Sequence, residues 1–70
     1  MRRQPVESSS LQSVGYDAAS QVLEVQFRTG RVYRYFGVPP DVYNSLLQAS
    51  SRGAFFNANI RDQYPFERVA

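Results

Sequence analysis

Cysteine, histidine and lysine are all absent from the 70-residue chain. The lack of cysteine excludes disulfides and thiolate metal sites, and nothing points to an oxidising compartment. Without histidine and cysteine, the commonest general base and the most reactive nucleophile are missing. Without lysine there is neither a Schiff-base amine nor a phosphate-loop lysine, and the four glycines never cluster. The six carboxylates are scattered, with no EF-hand or zinc-site spacing. The serines at 8–10 and 50–51 read as a flexible segment and helix caps. Catalysis would rest on Tyr, Asp, Glu and Arg alone, so the expectation is a non-enzymatic chain with no metal, cofactor or small-molecule substrate. Apolar runs fall far short of the roughly 18–20 residues that span a bilayer. Met1-Arg2-Arg3 has no apolar segment behind it, so a secretory signal is not expected and a cytoplasmic setting is.

What is present is aromatic and arginine-rich. Five Tyr and five Phe supply much of the apolar area available to a chain of this length. A domain this short buries only about 60% of its unfolded surface, so most large side chains must contribute to one core. All eight basic residues are arginine; six acids bring the net charge to +2. Arginine favours planar, bidentate contacts to carboxylate or phosphate and stacking on rings. The same bias also arises from genomic base composition, with no functional meaning.

Residues 1–9, MRRQPVESS, lack periodicity and are expected to form a mobile arm, leaving 10–70 as a single domain. Leu11 to Tyr16 reads as a first strand, with Leu11 out of alternation and a bulge near Ser13 or Gly15. Asp17 to Ser20 is a turn. Leu23, Val25 and Phe27 alternate with Glu24 and Gln26 as a half-buried strand, and Val32 to Phe36 returns. A two-residue turn would force Thr29, which is β-branched, to positive φ; a loop of Arg28-Thr29-Gly30 needs that conformation only at Gly30. This register sets Val25 opposite Tyr33, Leu23 opposite Tyr35 and Glu24 opposite Arg34. Both tyrosines then face the core and Arg34 pairs with Glu24 on the other face.

Val38-Pro39-Pro40 ends the strand and opens a helix over about Pro40–Ala49, with Val42, Leu46 and Ala49 on one face. Beyond Ser50, two boundaries stay open. Ser51 caps a second helix running to Arg61, or Gly53 terminates the first. Tyr64 and Phe66 are expected to fold back over the core edge. The fold class is therefore α+β: a three-stranded antiparallel meander, one face covered by a C-terminal helix and a second short one.

The other sheet face would carry Val22, Glu24, Gln26, Val32, Arg34 and Phe36. As an ordinary solvated surface it has no function. As a binding platform, Arg34 and Phe36 would stack bases while Arg28, Arg31, Arg52 and Arg61 contact phosphates. An RNA partner is the leading expectation. The alternative is a protein-interaction or self-associating module, either a monomer or a weak homodimer.

Several fragments, in order and spacing, resemble the KTSC domain, a short module named after the C-terminal extension of some lysyl-tRNA synthetases. They are Gly15-Tyr16-Asp17, LEVQF at 23–27, Gly30, the Tyr-x-Tyr hallmark Tyr33-Arg34-Tyr35 and Val38-Pro39. The series continues through Ser51-Arg52-Gly53, Phe55-Phe56-Asn57, Ile60-Arg61 and Tyr64-Pro65, spanning about Val6 to Val69. The resemblance implies a small bacterial protein without defined catalytic residues, and RNA binding through the family's association with the synthetase.

Overall fold

Residues 1–70 are described by a computed structural model, in which the elements run β1 (Gln4–Pro5), β2 (Leu11–Asp17), β3 (Val22–Phe27), β4 (Val32–Phe36), α1 (Pro40–Gln48), α2 (Arg52–Asn59) and β5 (Phe66–Arg68). The α+β class holds, but the sheet has five strands rather than three, in the order β1-β2-β3-β4-β5 and antiparallel throughout. The segment expected as a mobile arm supplies β1, and the chain end supplies β5. Neither carries an apolar alternation that would mark it. Pro5, which has no N–H, sits on an outer strand, where a missing donor is tolerated.

The central hairpin has the register that Gly30 dictates. Val25 faces Tyr33, Leu23 faces Tyr35 and Glu24 faces Arg34. The Gly30 N–H donates to the Phe27 carbonyl and the Phe27 N–H to the Arg31 carbonyl, each at 2.9 Å, closing a three-residue loop. Gly30 takes φ +95°, while Thr29 stays at negative φ. In β2 the register slips between Leu11 and Ser13, and this bulge turns Leu11 onto the core face with Val14.

Pro39, extended at ψ 154°, and Pro40 start α1 without a side-chain cap, with Asp41 in the first turn. The helix stops at Gln48, and the Ser51 hydroxyl accepts from the Ala54 N–H at 3.3 Å to begin α2. Of the two open boundaries, the Ser51 cap is the one realised. Leu11, Val14, Leu23, Val25, Tyr35, Val38, Leu46, Phe56 and Ile60 form one buried cluster between sheet and helices. Tyr16 stacks on Tyr43 of α1 at 4.7 Å, and its phenol donates to the Val38 carbonyl at 2.5 Å.

The opposite sheet face is not an ordinary solvated one. Glu24 is only 3% exposed and accepts from two arginines: Arg3 Nη1 at 2.6 Å and Arg34 Nε at 2.9 Å. Burial alone would push its carboxyl up, but the hydrogen bonds and charges of Arg34 and Arg3 outweigh this and hold it below its ordinary value of 4.5. Arg3 reaches Glu24 across Gly15, the partner of Glu24 on β2. An alanine Cβ at position 15 would lie 2.5 Å from the Arg2 carbonyl oxygen and 3.1 Å from Arg3 Cγ. Gly15→Ala is therefore expected to lift β1 from β2 at a cost of about 1–3 kcal/mol. Amide exchange should accelerate at Val6, whose N–H donates to the Gln12 carbonyl, while the β2–β3 amides stay protected. Unchanged protection at Val6 would contradict this account.

Candidate nucleic-acid interface

Three elements converge beside the loop end of the hairpin, where Phe27 and Arg31 flank the turn. Pairing of β5 with β4 sets Phe66 opposite Tyr35, and α2 brings Phe56 against Phe27 and Tyr35 from below. The result is a cleft of about 440 Å³ walled by Phe27, Tyr33, Tyr35, Phe56 and Phe66 and rimmed by Ser10, Arg31, Asn57, Arg61 and Asp62. Phe56 and Tyr35 form its floor, at 1% and 3% exposure, while Phe66 stands 56% exposed at the mouth. The Phe66 ring lies tilted over Tyr33 and Tyr35, with centroids 5.8 and 5.7 Å away. Tyr33 is half-buried, so the Tyr-x-Tyr pair is divided between core and cleft wall.

The electrostatics of the cleft come from Arg31, Arg61 and Asp62. Both ion pairs of the structure belong to Glu24 on the far face. The arginines with side-chain hydrogen bonds are Arg3, Arg28, Arg34, Arg52 and Arg68. Arg31 and Arg61 are thus exposed cations without a protein acceptor. Burial, and next the neighbouring Tyr33, raise the Tyr35 phenol above its ordinary 10.0; Arg61 opposes this and Asp62 adds to it. Tyr35 therefore stays protonated at neutral pH, and both rim charges act on its hydroxyl. Aromatic faces beside free guanidinium groups suit a ligand that pairs a flat ring with an anion.

Of the residues expected to form a platform, the structure brings Arg31 and Arg61 together at this cleft. Arg34 and Phe36 lie on the opposite face, in a separate depression with Val22 and Met1. Arg34 is committed to Glu24. Arg52 is a structural clamp: its Nη2 donates to the Leu47 carbonyl at the end of α1 at 2.8 Å, and its Nη1 reaches the Glu7 carbonyl at 3.4 Å. Arg28 donates from Nε to the Ser8 carbonyl at 2.8 Å, outside the cleft lining. Sequence reasoning placed Phe66 at the core edge but assigned none of Phe27, Phe66, Asn57 and Asp62 to a binding site. The available signal was the surplus of aromatics near the chain end, which had to land on the core edge; only the β4–β5 pairing says where.

The profile of the KTSC domain matches residues 7–64. An uncharacterised protein of Stutzerimonas stutzeri is 48% identical over 64 residues, covering 91% of this chain and 90% of its own length. A lysine–tRNA ligase of Nostoc punctiforme is 38% identical over 64 residues, which are 91% of this chain but only 11% of the ligase. The crystal structure of a KTSC domain protein from Yersinia pestis superposes with a TM-score of 0.96 at 38% identity, covering 99% of this chain and 97% of that one. With its sequence and fold matched over nearly their whole length, the chain belongs to the KTSC domain family.

Proposed function

We propose that this chain is a non-catalytic module that binds RNA through the aromatic cleft. The observation that carries the reading is the pair of exposed arginines, Arg31 and Arg61, left without acid partners beside accessible aromatic rings. The related segment within lysine–tRNA ligases supports it. Base–aromatic stacking contributes about 1–3 kcal/mol per base, and each phosphate neutralised on a single strand adds roughly −0.7 to the salt slope.

Fluorescence anisotropy with tRNA and with single-stranded RNA, at low and moderate salt, tests the proposal. Saturable binding should weaken as salt rises. The double substitution Arg31→Ser, Arg61→Ser should reduce affinity by about tenfold or more and flatten the salt slope by roughly 1.4. Absence of saturable binding at about tens of micromolar, or binding insensitive to salt, would sink the reading.

The competing reading, self-association, has one observation in its favour. Phe66 is 56% exposed on β5, one of the two outer strands of the sheet. Sedimentation at rising concentration separates the two: a specific dimer raises the mass with concentration, and Phe66→Ser abolishes that rise.

A further inference from the structure

The cleft is too small for a helix and has chemistry that discriminates among bases. Its volume of about 440 Å³ lies near the lower end of small-ligand sites, roughly 300–1,000 Å³. The accessible ring surface, on Phe66 and Tyr33, is set between α2 and the hairpin rather than on an open plane. A base inside a duplex has both faces stacked and its pairing edge occupied, so only a base splayed out of its strand can reach these rings.

Asp62 gives the pocket a second property. Asp62 shares the lining with Arg31 and Arg61, and its charge acts on the Tyr35 hydroxyl in the cleft floor, yet it forms no ion pair with either arginine, since both ion pairs belong to Glu24. An ionised carboxylate only accepts hydrogen bonds. It repels the phosphate, which is left to the guanidinium groups, and it requires donors on whatever ring enters. Adenine and cytosine each present one amino donor beside an acceptor nitrogen. Uracil presents one N–H flanked by two carbonyl oxygens, which a carboxylate repels. Guanine alone presents two adjacent donors, N1–H and the N2 amine, which match the two carboxylate oxygens. Asn57, on the α2 side of the same cleft, offers an amide N–H of the kind that O6 accepts.

Resting on the RNA-binding reading, we infer that the cleft is a guanine-selective site for one unstacked nucleotide. Asp62 takes the Watson–Crick donor edge, Phe66 and Tyr33 the ring, and Arg31 and Arg61 the adjoining phosphates.

The test uses short oligouridine strands carrying one central guanosine, inosine or adenosine, measured by anisotropy against the intact chain and Asp62→Asn. Guanosine should bind about tenfold or more tighter than adenosine. Inosine, which keeps N1–H and lacks the N2 amine, should fall between them. Asp62→Asn should bring the guanosine and adenosine strands within about twofold of each other, because an amide offers only one acceptor to the two donors. Since Asp62 is exposed, the variant should melt with the parent. If the strands bind in a salt-dependent way but guanosine shows no advantage over adenosine or inosine, the guanine site is overturned and the RNA reading stands. If no strand binds, both fall. The inosine comparison uses the unaltered protein, so it decides the matter even if the variant misfolds.

Discussion

Phe56→Ala is expected to leave the domain largely unfolded at room temperature. The ring is 1% exposed and packs edge-on against Phe27 at 5.4 Å and Tyr35 at 5.3 Å, joining α2 to the hairpin. Truncating a buried phenylalanine costs about 3–5 kcal/mol, the lost transfer free energy plus the cavity left behind. A single core in a chain this short supplies about 3–5 kcal/mol in total, so little would remain. Phe56→Leu keeps most of the volume and should stay folded, losing about 1–2 kcal/mol. Far-UV circular dichroism and urea titration read both outcomes. A cooperative Phe56→Ala transition within about 1 kcal/mol of the parent would mean that α2 is not held by this ring.

The paired substitution Arg3→Ala, Arg34→Ala is expected to destabilise by about 3–5 kcal/mol at neutral pH and to reverse the pH dependence contributed by Glu24. The cost comes from the acid, not the arginines. The Glu24 side chain is 4% exposed, whereas those of Arg3 and Arg34 are 29% and 39% exposed. Removing both cations strands a carboxylate out of water, whereas Glu24→Gln frees two guanidinium groups that can rehydrate. Glu24→Gln should therefore be the milder change.

In the parent, the Glu24 carboxyl lies below its unfolded value. Its stabilising effect is thus present above an unfolded pKa of about 4.3 and lost as pH falls through the folded pKa. In the double variant only burial remains, and the folded pKa rises above the unfolded one. The relative stability is then greatest at low pH and lost as pH rises through the raised value. Urea titrations at about pH 4 and pH 7, each compared with the same background carrying Glu24→Gln, isolate this group from the other carboxylates. Adding Glu24→Gln to the double variant should also restore stability at neutral pH. If the double variant loses no more than about 1 kcal/mol and keeps the parental slope, Glu24 is an ordinary surface partner.

The same carboxylate shows where sequence reading stops. That Glu24 faces Arg34 follows from alternation plus the Gly30 loop, all within one hairpin. That Glu24 is buried, and that Arg3 is its second partner, does not follow, because Arg3 is brought in just ahead of a two-residue strand containing a proline. Arg52 teaches a related lesson. Its charge reads as a phosphate contact, but the carbonyls of Leu47 and Glu7 take its two terminal nitrogens and its Nε is buried. Tyr33 and Tyr35 share a face by period, yet their exposures differ because only Tyr35 lies beneath both α2 and the β5 strand that carries Phe66.

The sequence by itself determined the hairpin and its register, the bulge in β2, the proline start of α1, the α+β class and the family resemblance. Each rests on stereochemistry or periodicity confined to neighbouring residues: a left-handed glycine, a proline φ, an alternation of two. The tertiary structure alone decided the outer strands, the burial of Glu24 and which arginines remain free. These depend on pairing between segments far apart in the chain, where short strands gain stability only from the edge they join and carry no periodic signal of their own. The cleft is the product of that pairing, since its aromatic wall is complete only when β5 lies against β4.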